Sequence, residues 1–298
     1  MLSSPRVTRR HVLALTAAGY LPVQAQVPAP RFTLQTETTL RHAHAMLHAA
    51  LELTGYAATL ERALPTTEMR SLQQMADGQL HVSLMPITPQ RLEMVRQGRL
   101  RMIPIPLERG LLGWRASVVV QGQEDKLSHV RTVRDLQSFV VGQGQDWVDV
   151  EIYRGAGITT RELPAWRNGE FVQALDSGAI DLFPLGLEEL HNVFMPHFRQ
   201  HHPRLRLDTH LLLRYPWYRC VCVTAHPVAD ALFAALQTGL DTLARNGGFV
   251  RLWEQHRQLP SPAWWRNRSL VELRNPFYGE ELIPGRYQHL LFKHRPGH

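Results

Sequence analysis

The sequence predicts an α/β fold of two similar lobes, with mixed sheets, flanking helices and two hinge crossings. Three observations carry this expectation. Helical periodicity alternates with short apolar strands, as in layered α/β architectures. One helix–Gly–strand unit occurs twice: "LQQMADGQLHVSL" (72–84) and "FVQALDSGAIDLF" (171–183), about 100 residues apart. Two long strand-like runs, "RASVVVQGQ" (115–123) and "YRCVCVTA" (218–225), stand where the chain would pass between lobes.

The elements follow in order. "RFTLQT" (31–36) reads as a short strand. Leu40, Ala43, Leu47, Ala50 and Leu51 then recur at helical spacing, and Gly55 ends that helix. Met69, Leu72 and Met75 mark a second helix, stopped at Gly78, before the strand "LHVSLM" (80–85). Strands separated by helices predict largely parallel pairing. A long helix from Pro227 to about Arg245 carries Val228, Leu232, Leu236, Leu240 and Leu243 on one face. "FVRLWEQH" follows as a shorter helix, and Trp264 and Trp265 in the tail read as a cover for the first lobe.

The proposed crossings divide the chain into residues 26–122 and 218–298, forming a discontinuous first lobe, and 123–217, forming the second. Two crossings make a hinge, and the cleft beside a hinge is a natural ligand site. Cys220 and Cys222 alternate on one strand, with Cα atoms about 6.5–7 Å apart, at or beyond disulfide reach. They read as small apolar core residues.

Residues 1–25 read as a secretory signal. Arg6, Arg9 and Arg10 form a basic start, Val12 to Leu21 an apolar core, and Val23 to Ala25 a cleavage site. "TRRHVL" also resembles a twin-arginine export signal. No apolar run approaches the roughly 20 residues that span a bilayer. The net charge is +7, and removing those three arginines leaves +4 with no long basic run. The expectation is therefore no nucleic-acid partner.

Two turns carry the functional reading. In "VVGQGQDWVD" (140–149) an apolar strand ends in Gly142 and Gly144. Asp146 fits the N-cap of a helix running from Trp147 to Ala156. A dinucleotide loop lacks its third glycine, and a P-loop lacks its Gly-Lys-Ser/Thr. Gln143, Gln145, Asp146 and Trp147 suit a small polar solute better than a triphosphate. In "MPITPQR" (85–91) Thr88 fits an N-cap, Pro89 the first helical position and Arg91 the first turn. A helix N-terminus beside a guanidinium favours a carboxylate.

Taken with their order along the chain, "DGQLHVSLMPITPQR", "IPLERGLLGWRASVVV", "VGQGQDWVDVEIYRGAG" and "GLDTLARNGGFVRLW" resemble segments of bacterial periplasmic solute-binding proteins. The resemblance is to the type 2 fold and to family 3, the amino-acid-binding-like group, and it spans nearly the whole chain after residue 25. It implies a Venus flytrap that closes on a small polar or anionic solute. Thr88 and Arg91 would correspond to a carboxylate-binding pair. Trp114 and Arg115 would lie near the cleft floor, and Gln143, Gln145, Asp146 and Trp147 would contribute from the second lobe. It also implies a periplasmic monomer, served by an ABC-transporter permease or a membrane sensor.

One departure stands out. Amino-acid binders place an aspartate after the second-lobe strand, whereas here Pro184 and Leu185 occupy that vicinity, with Glu188 and Glu189 the nearest acids. No catalytic motif appears, and no cofactor or metal is called for. His44 and His48, one helical turn apart, lack an acidic or cysteine partner. The alternatives are a ligand-sensing module for a membrane partner, or a secreted dehydratase-like enzyme on the same fold.

Overall fold

The computed structural model describes residues 29–37, 40–190, 194–256 and 268–293. The signal segment 1–25, Trp264 and Trp265 lie outside the described residues.

The first half builds one sheet. Strand β1 (Arg31–Gln35) leads to helix α1 (Arg41–Thr54), whose apolar stripe buries Ala43, Met46, Leu47, Ala50 and Leu51. Gly55 closes α1 in the left-handed conformation, φ 66°, which a side chain would strain. Strand β2 (Thr59–Arg62), helix α2 (Glu68–Ala76), strand β3 (Val82–Ser83), helix α3 (Pro89–Arg96) and strand β4 (Leu100–Ile103) follow.

A second sheet starts with β5 (Trp114–Val120), which is buried along its whole length. Next come α4 (Val133–Leu136), β6 (Val140–Gly144), α5 (Asp149–Gly155), β7 (Thr159–Leu163), α6 (Glu170–Asp176), β8 (Phe183–Gly186), α7 (Leu187–Glu189) and α8 (Met195–His201). Strands β9 (Leu205–Leu207) and β10 (Leu211–Arg214) precede β11 (Val221–Thr224), α9 (Asp230–Arg245), α10 (Gly248–His256) and β12 (Ser269–Glu272).

The first sheet has the order β2-β1-β3-β11-β4, and the second β12-β10-β5-β8 with β9 also on β5. Strands β6 and β7 form a parallel pair, joined to the second sheet's end by a bridge from Val141 to Leu182. Pairing is mixed, not largely parallel. β11 is antiparallel to β3 and β4, and β5 is antiparallel to β8, β9 and β10. The reason is the return of the chain: β11 enters the first sheet from the opposite end, so it runs against its neighbours.

Helices α1, α9 and α10 pack together. At Gly239 of α9, a Cβ would stand 2.2 Å from the Ala50 carbonyl oxygen, so only glycine lets the two helices approach this closely.

The two runs read as crossings lie within the sheets. Ladder hydrogen bonds fix β5 to the second sheet and β11 to the first. The chain passes between the sheets through two segments: 104–113, which ends in a 3-10 turn at Leu111–Gly113, and 215–220. They touch at Gly113, where the Tyr215 amide donates to the Gly113 carbonyl at 3.1 Å. A Cβ at Gly113 would lie 1.9 Å from the Tyr215 oxygen. Cys220 and Cys222 are buried and unbridged, as the strand spacing requires.

The tail departs from the reading that placed residues 218–298 wholly in the first lobe. β12 pairs in parallel with β10 of the second sheet. Beyond it the chain returns, with Tyr287 donating to Asp241 of α9 at 3.0 Å.

Candidate ligand-binding cleft

A cleft of about 760 Å³ opens between the two sheets. Glu37, Met85, Pro86, Thr88 and Arg219 border it from the first-sheet side. Arg115, the turn Asp146–Asp149, Trp166, Leu185 and Glu189 border it from the second. Phe194, His197, Phe198 and Trp217 complete an aromatic wall.

The turn after β6 delivers part of what the sequence predicts. Asp146 and Trp147 line the cleft. Trp147 meets Trp166 edge-on with centroids 4.8 Å apart. Gly144 makes this possible: a Cβ there would come within 2.5 Å of the Trp147 ring. Asp146 is not the N-cap. It sits in the left-handed region, φ 63°, and its amide donates to Glu162 at 3.2 Å. Helix α5 begins only at Asp149, because the chain needs residues 145–148 to turn out of β6. The two glutamines do not line the cleft. Gln143 is buried and donates to the Pro184 carbonyl at 3.1 Å, while Gln145 points into solvent.

The turn before α3 forms as read, with Thr88 capping and Pro89 opening the helix. Thr88 borders the cleft, but Arg91 is fully buried and absent from its lining. The reason is Glu68, the first residue of α2. One carboxylate oxygen accepts from the Thr88 hydroxyl at 2.9 Å, and the other from Arg91 Nη2 at 2.8 Å. Ser83 at 2.8 Å and Gln35 at 3.2 Å take further Arg91 hydrogens. Trp114, the other expected floor residue, is buried edge-on against Phe292, 5.8 Å away, and does not reach the cleft.

Arg115 does form part of the cleft floor. Its Nη2 lies 2.7 Å from Asp149, and its Nε donates to the Tyr215 hydroxyl at 2.6 Å. Tyr215 in turn donates to Asp149. Burial pulls the guanidinium's pKa down, but Asp149, then Tyr215 and Glu189, outweigh it and hold Arg115 above its ordinary value. Burial pushes the Tyr215 phenol well up, so it stays protonated as a donor.

Arg219, in the second passage, is the counterpart on the other side. It makes a two-pronged bond to Glu37, 3.0 Å on each arm, and a 3.2 Å contact to buried Glu108. These acids more than offset its burial and raise its pKa.

Glu189 stands between the two arginines, 4.0 Å from Arg115, with 46% of its side chain exposed to the cleft. The crowding of protein atoms around it raises its pKa, against the pull of Arg115 and Arg219. Gly186 ends β8 directly beneath Arg115. A Cβ there would lie 2.8 Å from Arg115 Nη1, so the locked guanidinium leaves no room for a side chain.

Glu37, Arg219, Trp166, His197, Phe194, Phe198 and Trp217 were not singled out from the sequence. Their positions depend on pairs far apart in the chain; Arg219 and Glu37 are separated by 182 residues. The one local signal was "RYPW" (214–217), a turn ending in a tryptophan beside a proposed crossing.

No protein-family model and no curated protein matches the chain. Solved structures do. The GluR0 ligand-binding core, in complex with L-glutamate, aligns over 77% of this chain and 98% of its own, at 12% identity and a TM-score of 0.50.

The chain has the two-lobed type 2 periplasmic-binding fold.

An arginine-specific periplasmic binding protein of Salmonella typhimurium is 13% identical, covering 76% of this chain and 99% of its own, at a TM-score of 0.48. The L-cystine solute receptor of Neisseria gonorrhoeae, in its unliganded open form, is 14% identical, covering 76% and 92%, at 0.46. In a type 2 periplasmic-binding fold the space between the lobes is the cleft described above.

Proposed function

We propose that this protein is a solute-binding flytrap: it captures a small polar solute between its lobes and undergoes no chemistry with it. The observation that carries this reading is the cleft itself. Its volume of about 760 Å³ falls in the range of small-molecule sites. Its lining combines aromatic faces with a few fixed polar groups drawn from both sheets, so a bound solute touches both lobes and shifts their equilibrium towards the closed form. The arginine–acid clusters at its floor pre-position those groups.

The protein acts in the periplasm as a monomer and hands its solute to an ABC-transporter permease, or reports it to a membrane sensor. The basic start and apolar core of residues 1–25 support export.

The test is a thermal-shift screen of the chain against amines, amino acids, organic acids and sugars. A ligand at a hundred times its dissociation constant adds about 2.7 kcal/mol to stability. Small-angle scattering of the stabilised complex should then show a smaller radius of gyration. A ligand that stabilises without contraction sinks the flytrap.

A further inference from the structure

The buried arginines at the cleft and just behind it are all engaged by acids of the chain itself. Arg115 is held by Asp149, and Arg219 by Glu37 and Glu108. Most telling is Arg91. The Thr88 hydroxyl and the Arg91 guanidinium converge on one carboxylate, with one oxygen for each, and that carboxylate belongs to Glu68. A cap hydroxyl and a forked cation at a helix start make an anion cradle. Here the chain supplies the anion from its own neighbouring helix.

Apart from Arg167 at the rim, the charged side chains left open in the cleft are of the opposite sign. Glu189 keeps 46% of its side chain exposed and only a 4.0 Å contact to Arg115. Asp146 is exposed on the same side of the cleft, with no basic partner among the described residues. Trp147, Trp166 and Trp217 line the same space. Carboxylates beside aromatic rings attract cations, because charge and ring quadrupole act in the same direction. Arg167 is the one lining arginine without an acid partner among the described residues. It is exposed at the rim and lies over the Trp166 ring, 5.2 Å from its centroid. This contact shows that the ring accepts a cation.

We infer that the solute is an organic amine cation that carries no carboxylate, the carboxylate subsite being filled by Glu68 of the protein itself. This deepens the proposed function and rests on it. The cation sits among Trp147, Trp166 and Trp217 with Glu189 and Asp146 as its counter-charges. An α-amino acid is disfavoured by its carboxylate: at the Thr88 edge of the cleft the hydroxyl and the buried Arg91 behind it are already bound to Glu68.

The experiment uses matched pairs that differ by one carboxylate: agmatine against L-arginine, and cadaverine against L-lysine. Titration calorimetry on the full chain should show each amine binding at least tenfold more tightly than its amino acid. Glu189→Gln should weaken both amines at least tenfold. Glu68→Ala, with Glu68→Gln as the shape-preserving control, should empty the cradle and raise amino-acid affinity at least tenfold. Tighter binding of L-arginine or L-lysine than of their amines by the unaltered protein overturns the inference. So does silence from both pairs while succinate or glucose binds, although the flytrap then stands. Silence from every probe overturns both.

Discussion

The turn before α3 and the turn before α5 both border the cleft, yet they send their polar groups in opposite directions. The first turn is regular: Thr88 caps, Pro89 starts the helix, and Arg91 follows one turn later. Its guanidinium nevertheless goes inward, to Glu68, Ser83 and Gln35. The second turn is irregular, with Asp146 left-handed and α5 delayed to Asp149. It delivers Asp146, Trp147 and Asp149 to the cleft. A well-formed cap fixes where a helix starts. It does not fix where the next side chain points, which depends on the partners within reach.

The contrast predicts that the first turn governs stability and the second governs binding. Arg91→Ala tests it most severely. It removes a buried cation and leaves Glu68 unpaired, at a cost on the order of 3 kcal/mol, the low end for a buried pair because Glu68 is 33% exposed. Urea denaturation should show that loss, while amine affinity at a temperature where the variant is folded stays within twofold. Lost affinity with unchanged stability would break the comparison.

Gly186→Ala tests the second side. The new methyl meets the locked Arg115, so overpacking should cost about 1–3 kcal/mol. Unlike Arg91→Ala, it should also weaken binding, because Arg115 and Glu189 share the floor.

The finest discrimination is between two neighbours of the turns. Thr88→Ala loses a cap and the bond to Glu68, and should cost about 1 kcal/mol. Asp146→Ala changes an exposed residue and should move stability by less than about 0.5 kcal/mol. It should still reduce amine affinity severalfold in the same calorimetric titration. Equal effects of the pair on both readouts would erase the distinction.

Legibility in the sequence followed the range of the interactions. The α1 stripe, the Thr88 cap, Gly55 and the buried run of β5 all depend on residues within a few positions, and each was visible. So were Asp146 and Trp147, which a short glycine-bounded turn must place at a strand's end. Arg91 was misplaced because its partner lies 23 residues away on α2. Arg115, named near the cleft floor, does border the cleft, but its partners, Asp149 and Tyr215, come from two other elements. Its role as a satisfied charge could not be read from "GWRAS". Trp166, Phe194 and Phe198 have the pattern of ordinary core aromatics, and only the folded chain separates those that reach the cleft.

The path of the tail has a mechanical consequence. The chain runs from first sheet to second and back before α9, then repeats the trip through β12 and residue Tyr287. Among the described residues, three stretches join the halves: 104–113, 215–220 and the run from β12 to Tyr287, with 215–220 bonded to both of the others through Leu107–Arg219 and Asn275–Pro216. Added tethers remove degrees of freedom unequally. Twisting or sliding one half over the other must break the bonds between these stretches, whereas bending all of them together need break none. The waist is thereby stiff to torsion and soft to one rotation, so the halves meet in the same register each time they come together.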